Sequence, residues 1–307
     1  MWGSLCSSQK KQESPLYVIL PYFNFCGFKT RRSLFLDFVF RNKIQSGLKI
    51  VVVEASSPAP LPKLPVWNHI TVDCKSILWI KESLINIGVK SLPPDWKYVA
   101  WVDADIHFLN QNWVSDTKES LEFLDVAQLF HTAVNLGPRG ESIKIDKSFG
   151  YMHSQSGTPY TVNDKYGFWH PGYAWACTRK AWDIMKGLID WAILGSADRH
   201  MALAWVGKGH LSRPSNIHEN YKNLISDFEN ECKGFKLGNV NGTILHEWHG
   251  SFEDRKYRER WNILTENNFD PLVDIGVSSN GLIEYSKKGK RLESDIRKYF
   301  VERREDA

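Results

Sequence analysis

Two aspartates separated by one residue, Asp103 and Asp105, directly follow an apolar segment at 98–102. Carboxylates that leave a strand end at positions i and i+2 can chelate one hard divalent cation, and that cation can also hold a diphosphate. Asp-x-Asp pairs also occur by chance and cap helices, so the surrounding sequence decides what the pair means. The pair indicates a divalent-cation site for a phosphate-bearing ligand.

Two histidines, His246 and His249, are candidates to complete such a site, because imidazole is a common metal ligand. Residues three apart on a regular strand point to opposite faces, so we expect only one of them to join the metal unless the backbone bends. We favour His249, since Gly250 frees the backbone beside it. A hydrogen-bonded surface imidazole is the alternative. Arg255 and Arg258 follow closely enough to close over a diphosphate.

Asp198 follows a Gly-Ser-Ala interruption between two helical patterns. A carboxylate can act as an acid–base group, and partial burial can tune its pKa. The same carboxylate can cap the helix instead, and the pattern leaves both roles open. His200 and Glu247 are the substitutes if Asp198 is structural.

The elements that must position these residues follow a β-α-β-α-β order. Strands are predicted at 16–21, 50–53, 70–72 and 98–102, and helices are predicted from about Thr30 and from Ser76. Such an order produces a largely parallel sheet, in which ligands bind beyond the carboxyl ends of the strands. Asp103 and Asp105 stand at such an end.

The rest of the chain predicts further strands and helices around a long polar loop. Strands are predicted at 125–130, 173–178 and from Thr243, helices at 182–192, from about 198 and at 220–232, and a mobile loop at 137–159. The charged C-terminal tail predicts a helix at 293–304 with few apolar residues to bury.

The composition is that of a globular protein. Of the 307 residues 42% are hydrophobic and 24% charged, and the net charge of +4 is too small to indicate a nucleic-acid partner by itself. Five scattered cysteines predict neither a disulfide framework nor a zinc knuckle, and favour a reducing compartment. No apolar run reaches 18 residues, so we expect a cytoplasmic protein without a membrane span. The oligomeric state is not predicted.

Four motifs occur in an order that resembles the metal-dependent GT-A glycosyltransferases of phages and bacteria. They are Asp-Ala-Asp at 103–105, Phe-Trp-His-Pro-Gly-Tyr-Ala-Trp at 168–175, Ala-Asp at 197–198 and His-Glu-Trp-His-Gly at 246–250. The resemblance covers about 16–260. It implies a Rossmann-like, mixed and mostly parallel α/β sheet flanked by helices, in a catalytic domain at 15–250. A C-terminal extension at 251–307 would include an active-site flap and a charged helix.

The resemblance implies transfer of a sugar from a nucleoside-diphosphate donor, with a UDP-sugar favoured, to a hydroxyl acceptor with inversion. Mn²⁺ or Mg²⁺ would bridge the donor diphosphate, with Asp105 as a direct ligand and Asp103 bound through water or to the donor ribose. His249 or His246 would complete the metal site, and Asp198 would be the general base. The acceptor stays open between a saccharide and a hydroxymethylated base in DNA.

The resemblance also suggests which residues bind the substrates. The donor candidates are Asn24 and Glu54 at the base or ribose, Asn86 near the sugar, Arg255 and Arg258 at the diphosphate, and Lys81. Lys81 and its neighbour Glu82 are expected on the exposed face of their helix, where solvation is the alternative role, and a helix C-terminal role is the alternative for Asn86. The acceptor floor would consist of Trp169, His170, Gly172 and Tyr173.

Two other classes of protein remain alternatives. A nucleotidyltransferase or pyrophosphorylase shares this kind of sheet and metal chemistry, but usually has a glycine-rich phosphate loop after its first strand, and the segment 21–27 contains none. A non-catalytic sugar-binding or nucleic-acid-binding module would need neither Asp198 nor the two histidines.

Overall fold

A computed structural model describes residues 14–58, 60–155 and 169–307. The strands are β1 (Leu16–Tyr22), β2 (Leu48–Ala55), β3 (Asn68–Val72), β4 (Tyr98–Val102), β5 (Ile106–Phe108), β6 (Val126–Gln128), β7 (Thr132–Leu136), β8 (Ser142–Lys147), β9 (Ala174–Thr178), β10 (Leu237–Asn239), β11 (Thr243–His246), β12 (Ile275–Val277) and β13 (Ile283–Tyr285). The α-helices are α1 (Lys29–Asn42), α2 (Lys81–Lys90), α3 (Trp113–Leu121), α4 (Phe149–Ser154), α5 (Arg179–Met185), α6 (Ala197–Trp205), α7 (Glu219–Glu231), α8 (Arg260–Glu266), α9 (Pro271–Asp274) and α10 (Glu293–Glu302).

The central sheet has seven strands in the order β10-β6-β9-β4-β1-β2-β3. Strands β1 to β4 pair in parallel with one another, whereas β9 runs antiparallel between β4 and β6. This arrangement confirms the predicted mixed, mostly parallel α/β sheet flanked by helices. The order places the carboxyl ends of β1 and β4 side by side at one edge.

The sheet separates two hydrophobic cores because successive side chains of a strand point to opposite faces. Val99 and Trp101 of β4 belong to the core formed with α2, α6 and α7, and Ala100 and Val102 belong to the core formed with α1 and α3. A Cβ atom on Gly88 of α2 would lie 2.5 Å from the Ile19 Cγ2 atom. The missing side chain lets α2 pack closely on β1.

A second, four-stranded sheet in the order β5-β11-β7-β8 was not predicted. It includes β8, which with α4 replaces much of the loop predicted at 137–159, so that prediction is wrong for 142–154; residues 156–159 lie outside the described part of the chain. The strand β8 is a short edge strand whose two apolar residues, Ile143 and Ile145, are exposed instead of packed in the core.

Two predicted helix boundaries are wrong. The helix expected from Ser76 begins at Lys81, and the Ser76 hydroxyl group instead accepts a hydrogen bond from the Tyr285 backbone. The helix expected at 182–192 ends at Met185, because Lys186 adopts a left-handed conformation with φ of 58°.

The C-terminal segment is more tightly integrated than its charge suggests. The helix α10 is present where the tail predicted one, but Ile296, Tyr299 and Phe300 are buried in the same core as β4 and α2, so the expectation of few buried apolar residues is wrong. Within the described residues, no helix is both long and apolar enough to cross a bilayer.

Candidate active site and metal centre

One cavity of about 880 Å³ opens where β1 and β4 end. Tyr22 and Val102, the last residues of these strands, line it. The opposite wall comes from the start of α6 and from the segment 252–260, and Arg303 and Glu305 add a contribution from the C-terminal tail. The cavity therefore lies at the sheet edge where a ligand of this architecture is expected.

Asp105, His246 and His249 form a cluster that could hold a metal ion, called here the metal-ligand cluster, with one ligand atom of each lying within 4.8 Å of the others. The Asp105 Oδ2 atom lies 2.9 Å from His249 Nε2, and the two histidine Nε2 atoms lie 3.2 Å apart. The Asp105 Oδ1 atom is buried and has no hydrogen-bond partner among the described residues. A divalent cation would satisfy this carboxylate oxygen and both imidazoles together.

Both histidines reach the cluster because β11 ends at His246. Pairing of His246 with Ile106 of β5 places it beside Asp105, and the chain leaves the strand before His249. Gly250 has φ of 89° and packs against the backbone of Arg304. The exception allowed for a bent backbone applies here: strand alternation does not extend to His249, so both histidines face Asp105.

The protonation of the cluster suits a cation. Burial lowers the pKa of both His246 and His249, which keeps the imidazoles neutral. Burial raises the pKa of Asp105, but contacts with the histidines and with Arg255 outweigh this effect and hold it below its usual range. Neutral imidazole and ionised carboxylate are the forms that bind metal ions.

Asp103 lies outside the metal-ligand cluster, and its carboxylate forms an ion pair with the Lys81 ammonium group. Lys81 is the first residue of α2 and is directed into the cavity, so the exposed position expected for it is wrong. Burial lowers its pKa, but Asp103, Glu82 and Asp198 raise it above its ordinary value. Lys81 thus supplies a permanent positive charge to the cavity.

Glu82 is also buried against the cavity, with 4% of its surface exposed, contrary to the expected solvated position. Burial is the main cause that raises its pKa to about 8. Because α2 begins one turn later than predicted, its first two residues face the site. Helical periodicity alone gave no signal of this.

Asp198 lies in the first turn of α6 and lines the cavity. Ser196 occupies the N-cap position, so Asp198 is not the capping residue. One carboxylate oxygen, Oδ1, accepts a hydrogen bond from the Arg199 backbone, and a Cβ atom on Gly172 would lie 2.7 Å from the other. Glycine at 172 is therefore what leaves room for this carboxylate.

The two substitutes for Asp198 lie elsewhere. His200 is completely buried, and its ring nitrogens contact the hydroxyl groups of Ser212 and Tyr221, each at 2.8 Å. Glu247 is not among the residues that line the cavity. Neither side chain can serve as a base in this cavity.

Two of the predicted acceptor residues line the cavity directly. The rings of His170 and Tyr173 stack with centroids 3.9 Å apart, and burial lowers the pKa of His170 to about 4. Gly172 has no side chain and so leaves room for the Asp198 carboxylate. Trp169 is buried against Phe149 rather than exposed to the cavity, and Phe168 of the same motif lies outside the described residues.

Three predicted donor contacts, Asn24, Glu54 and Asn86, are not brought to the cavity. Each uses its side chain to hold a nearby loop through hydrogen bonds of 2.8–3.0 Å. The partners are Phe28 for Asn24, Leu61 and His69 for Glu54, and Leu188 for Asn86. Their polar atoms are therefore engaged in structure.

Arg255 and Arg258 both line the cavity, as the sequence predicted for residues near a diphosphate. Arg255 is buried, and one guanidinium nitrogen lies 2.9 Å from His249 Nε2. Arg258 is exposed at the rim. The two arginines place positive charge beside the metal-ligand cluster and at the entrance.

The C-terminal tail contributes a wall that the sequence did not reveal. Glu305 is 1% exposed and accepts hydrogen bonds from Arg31 of α1 at 2.6 Å and from Arg303 at 2.7 Å. Burial opposes the charge of Glu305, but the two arginines hold its pKa below the usual range. Residues so far apart in sequence give no local pattern that predicts this contact.

No protein-family model and no curated protein matches the chain. Solved structures with similarity include the catalytic domain of Drosophila β1,4-galactosyltransferase 7 with xylobiose, at 15% identity and a TM-score of 0.35 over 64% of this chain and 63% of that chain. A mannosyltransferase from Pyrobaculum calidifontis with GDP-Man and Mn²⁺ matches at 13% identity and a TM-score of 0.44, over 94% of this chain and 70% of that chain. The 4-diphosphocytidyl-2C-methyl-D-erythritol synthase of Anaerococcus prevotii matches at 12% identity and a TM-score of 0.32, over 75% of this chain and 89% of that chain. The function of the chain must therefore be inferred from its own cavity.

Proposed function

We propose that the protein is a metal-dependent glycosyltransferase that moves a sugar from a nucleoside-diphosphate donor to a hydroxyl acceptor. One observation carries this proposal: a single cavity contains the metal-ligand cluster, a separate carboxylate at Asp198 and fixed positive charges at Lys81 and Arg255. Its volume of about 880 Å³ falls within the range of cavities that hold nucleotide-sized ligands.

The metal-ligand cluster fits a divalent cation. One carboxylate and two imidazoles are ligands that Mn²⁺ accepts, whereas Mg²⁺ prefers an all-oxygen shell, so we favour Mn²⁺ as the cofactor. When bound, the cation supplies positive charge that stabilises the diphosphate leaving group. Asp103, held by Lys81, is left to contact the cation through water or the donor ribose.

The positive side chains of the cavity bind the donor phosphates. Arg255 is buried and the Lys81 side chain is only 12% exposed, so their attraction for a diphosphate is less screened by solvent than that of exposed groups. Arg258 at the rim extends the positive field to the entrance. A UDP-sugar is the donor we favour.

Asp198 acts as the general base. Its carboxylate takes the proton of the acceptor hydroxyl group while that oxygen forms a bond to the anomeric carbon of the sugar. The bond from the anomeric carbon to the diphosphate oxygen breaks, and the nucleoside diphosphate leaves with both bonding electrons. Attack from the side opposite the leaving group inverts the anomeric configuration. His170 and Tyr173 form the floor for a saccharide acceptor.

A nucleotidyltransferase is less well supported. Such an enzyme would bind phosphate at backbone N–H groups after its first strand, but the Asp306 carboxylate already accepts hydrogen bonds from the Lys29 and Thr30 amides at the start of α1. A non-catalytic module would not need an acid such as Asp198 in the same cavity as the cluster. A modified base in DNA remains the alternative acceptor.

The test is incubation with Mn²⁺ and a panel of nucleotide sugars without acceptor, with release of nucleoside diphosphate as the readout. We expect slow release from one donor class, loss of release with a chelator or in Asp105→Asn, and normal release in the control Asp183→Asn, whose exposed carboxylate pairs with Arg179. Release of pyrophosphate from a nucleoside triphosphate and a sugar phosphate would instead support nucleotidyl transfer.

A further inference from the structure

Asn135 of β7 is a fully buried polar residue behind the metal-ligand cluster. The strands β7 and β11 are parallel neighbours, and Asn135 is the register partner of His246. Their side chains are in contact, with Asn135 Oδ1 lying 3.0 Å from His246 Nδ1. The amide thus contacts the Nδ1 atom at the edge of the imidazole ring, while the Nε2 atom faces His249 and Asp105.

The surroundings of the amide determine which end is oxygen. Its Nδ2 atom donates to the Asp146 Oδ2 atom at 3.0 Å and lies 3.4 Å from the Lys144 carbonyl oxygen. An ionised carboxylate and a carbonyl only accept hydrogen bonds, so they require the NH₂ group. The oxygen must therefore face His246, where it also accepts the Tyr173 hydroxyl group at 2.7 Å.

This orientation fixes the proton on His246. Because Asn135 Oδ1 carries no hydrogen, the hydrogen of the contact belongs to His246 Nδ1. A neutral imidazole protonated at Nδ1 has its lone pair at Nε2, which is the atom that faces Asp105 and His249.

We propose that Asn135 is a positioning residue of the metal centre, which holds His246 in its Nδ1–H form so that Nε2 is ready to bind the cation. Asp146, which also lines the cavity, fixes the amide through its Oδ2 atom, and Lys144 Nζ, 2.9 Å from Asp146 Oδ1, neutralises its charge. The inference rests on the proposed function only in requiring that a divalent cation binds. Hydrogen-bond partners of this kind orient metal-binding histidines and raise their basicity.

The tautomer can be measured directly in the metal-free protein. Long-range ¹H–¹⁵N spectra of protein labelled at histidine distinguish the two neutral forms, and comparison with His246→Gln assigns the signal. We expect the Nδ1–H form for His246 in the wild-type protein. Finding the Nε2–H form would overturn the inference, and this measurement does not depend on how any Asn135 variant folds.

Metal affinity gives the second readout, with Co²⁺ as a probe whose absorption bands report the ligand set. We expect Asn135→Ala to bind Co²⁺ about 10- to 100-fold more weakly, the effect typical of losing such a partner. The double substitution Asn135→Asp with Asp146→Asn exchanges the amide and the carboxylate, keeps an acceptor for Nδ1 and a donor–acceptor contact between the two side chains, and should restore most of the affinity. The control Asn220→Ala removes an equivalent asparagine bond, to Asp270 at 2.9 Å, far from the cluster and should bind Co²⁺ normally.

Wild-type Co²⁺ affinity in a folded Asn135→Ala protein would contradict the inference. Co²⁺ binding that depends on Asn135, in a protein that hydrolyses and transfers no nucleotide sugar, would support the positioning role while removing the transferase function. Failure of the positioning role and failure of the transferase function can therefore be told apart.

Discussion

At the scale of single residues, Asp198 is the side chain on which the proposed transfer step depends. Asp198→Asn keeps an oxygen for the Arg199 amide and a shape that fits over Gly172, so the fold and the donor affinity should be unchanged. The transfer rate should fall by about 10²- to 10⁴-fold, as expected for loss of a general base. Initial rates with any acceptor that supports turnover measure this, and a wild-type rate would exclude the base role.

The raised pKa of Glu82 leads us to expect that the stability of the protein depends on pH. In the folded protein it keeps its proton up to about pH 8, whereas its ordinary pKa is 4.5, so the folded state binds more protons between these values. The free energy of unfolding should therefore fall as the pH rises from 4.5 to 8.

Glu82→Gln should remove this contribution and raise the unfolding temperature at pH 8 more than at pH 5. Thermal unfolding in the presence of a chelator measures the difference, with Glu119→Gln, on the exposed face of α3, as the control. An identical pH dependence in the wild-type protein and Glu82→Gln would show that Glu82 is ionised throughout.

At the scale of elements, long-range pairing decides what the sequence could and could not predict. The strands β1, β2 and β4 each contain an apolar run, so their positions and the sheet edge that holds Asp103 and Asp105 follow from composition and order. The sheet that holds His246 could not be predicted, because its strands are short and come from distant parts of the chain. Asn135 and Asp146 carried no recognisable pattern for the same reason.

The contacts of Glu305 in the C-terminal tail lead us to expect that this residue stabilises the fold, which the sequence did not suggest. Glu305 lies between two arginines, and Glu305→Gln leaves those positive charges without their counterion in a largely buried setting. We expect a loss of about 3 kcal/mol in the free energy of unfolding, as is typical of breaking a buried ion pair.

Urea unfolding measures this loss. The control is Glu231→Gln, whose partner Lys186 is well exposed, and it should change stability by less than about 1 kcal/mol. Equal, small effects of both substitutions would show that the tail does not hold this wall of the cavity.

At the scale of the whole molecule, the charge distribution bears on the acceptor. The net charge of +4 leaves DNA possible, but Arg31 is paired with Glu305, and Arg291 is paired with the buried Asp274. Arginines held in this way are less free to contact phosphates, which favours the saccharide acceptor.

We therefore expect no retention of duplex DNA in a filter-binding assay even at about 50 mM salt, and saccharide transfer that changes little with salt. Each Lys or Arg contact to a duplex phosphate would add roughly 0.9 to the log–log salt slope. Binding that weakens steeply with salt would move the acceptor to DNA and contradict the saccharide proposal.

The central claim is that Asp105 and the two histidines hold a cation that binds a nucleotide sugar. Calorimetric titration of the wild-type protein and Asp105→Asn with UDP-sugars and GDP-sugars, with and without Mn²⁺, tests it most directly. We expect wild-type binding that requires Mn²⁺ and is lost in Asp105→Asn, while the two proteins unfold at similar temperatures. Nucleotide-sugar affinity that is the same in both proteins and indifferent to Mn²⁺, or absent with every donor, would contradict the claim.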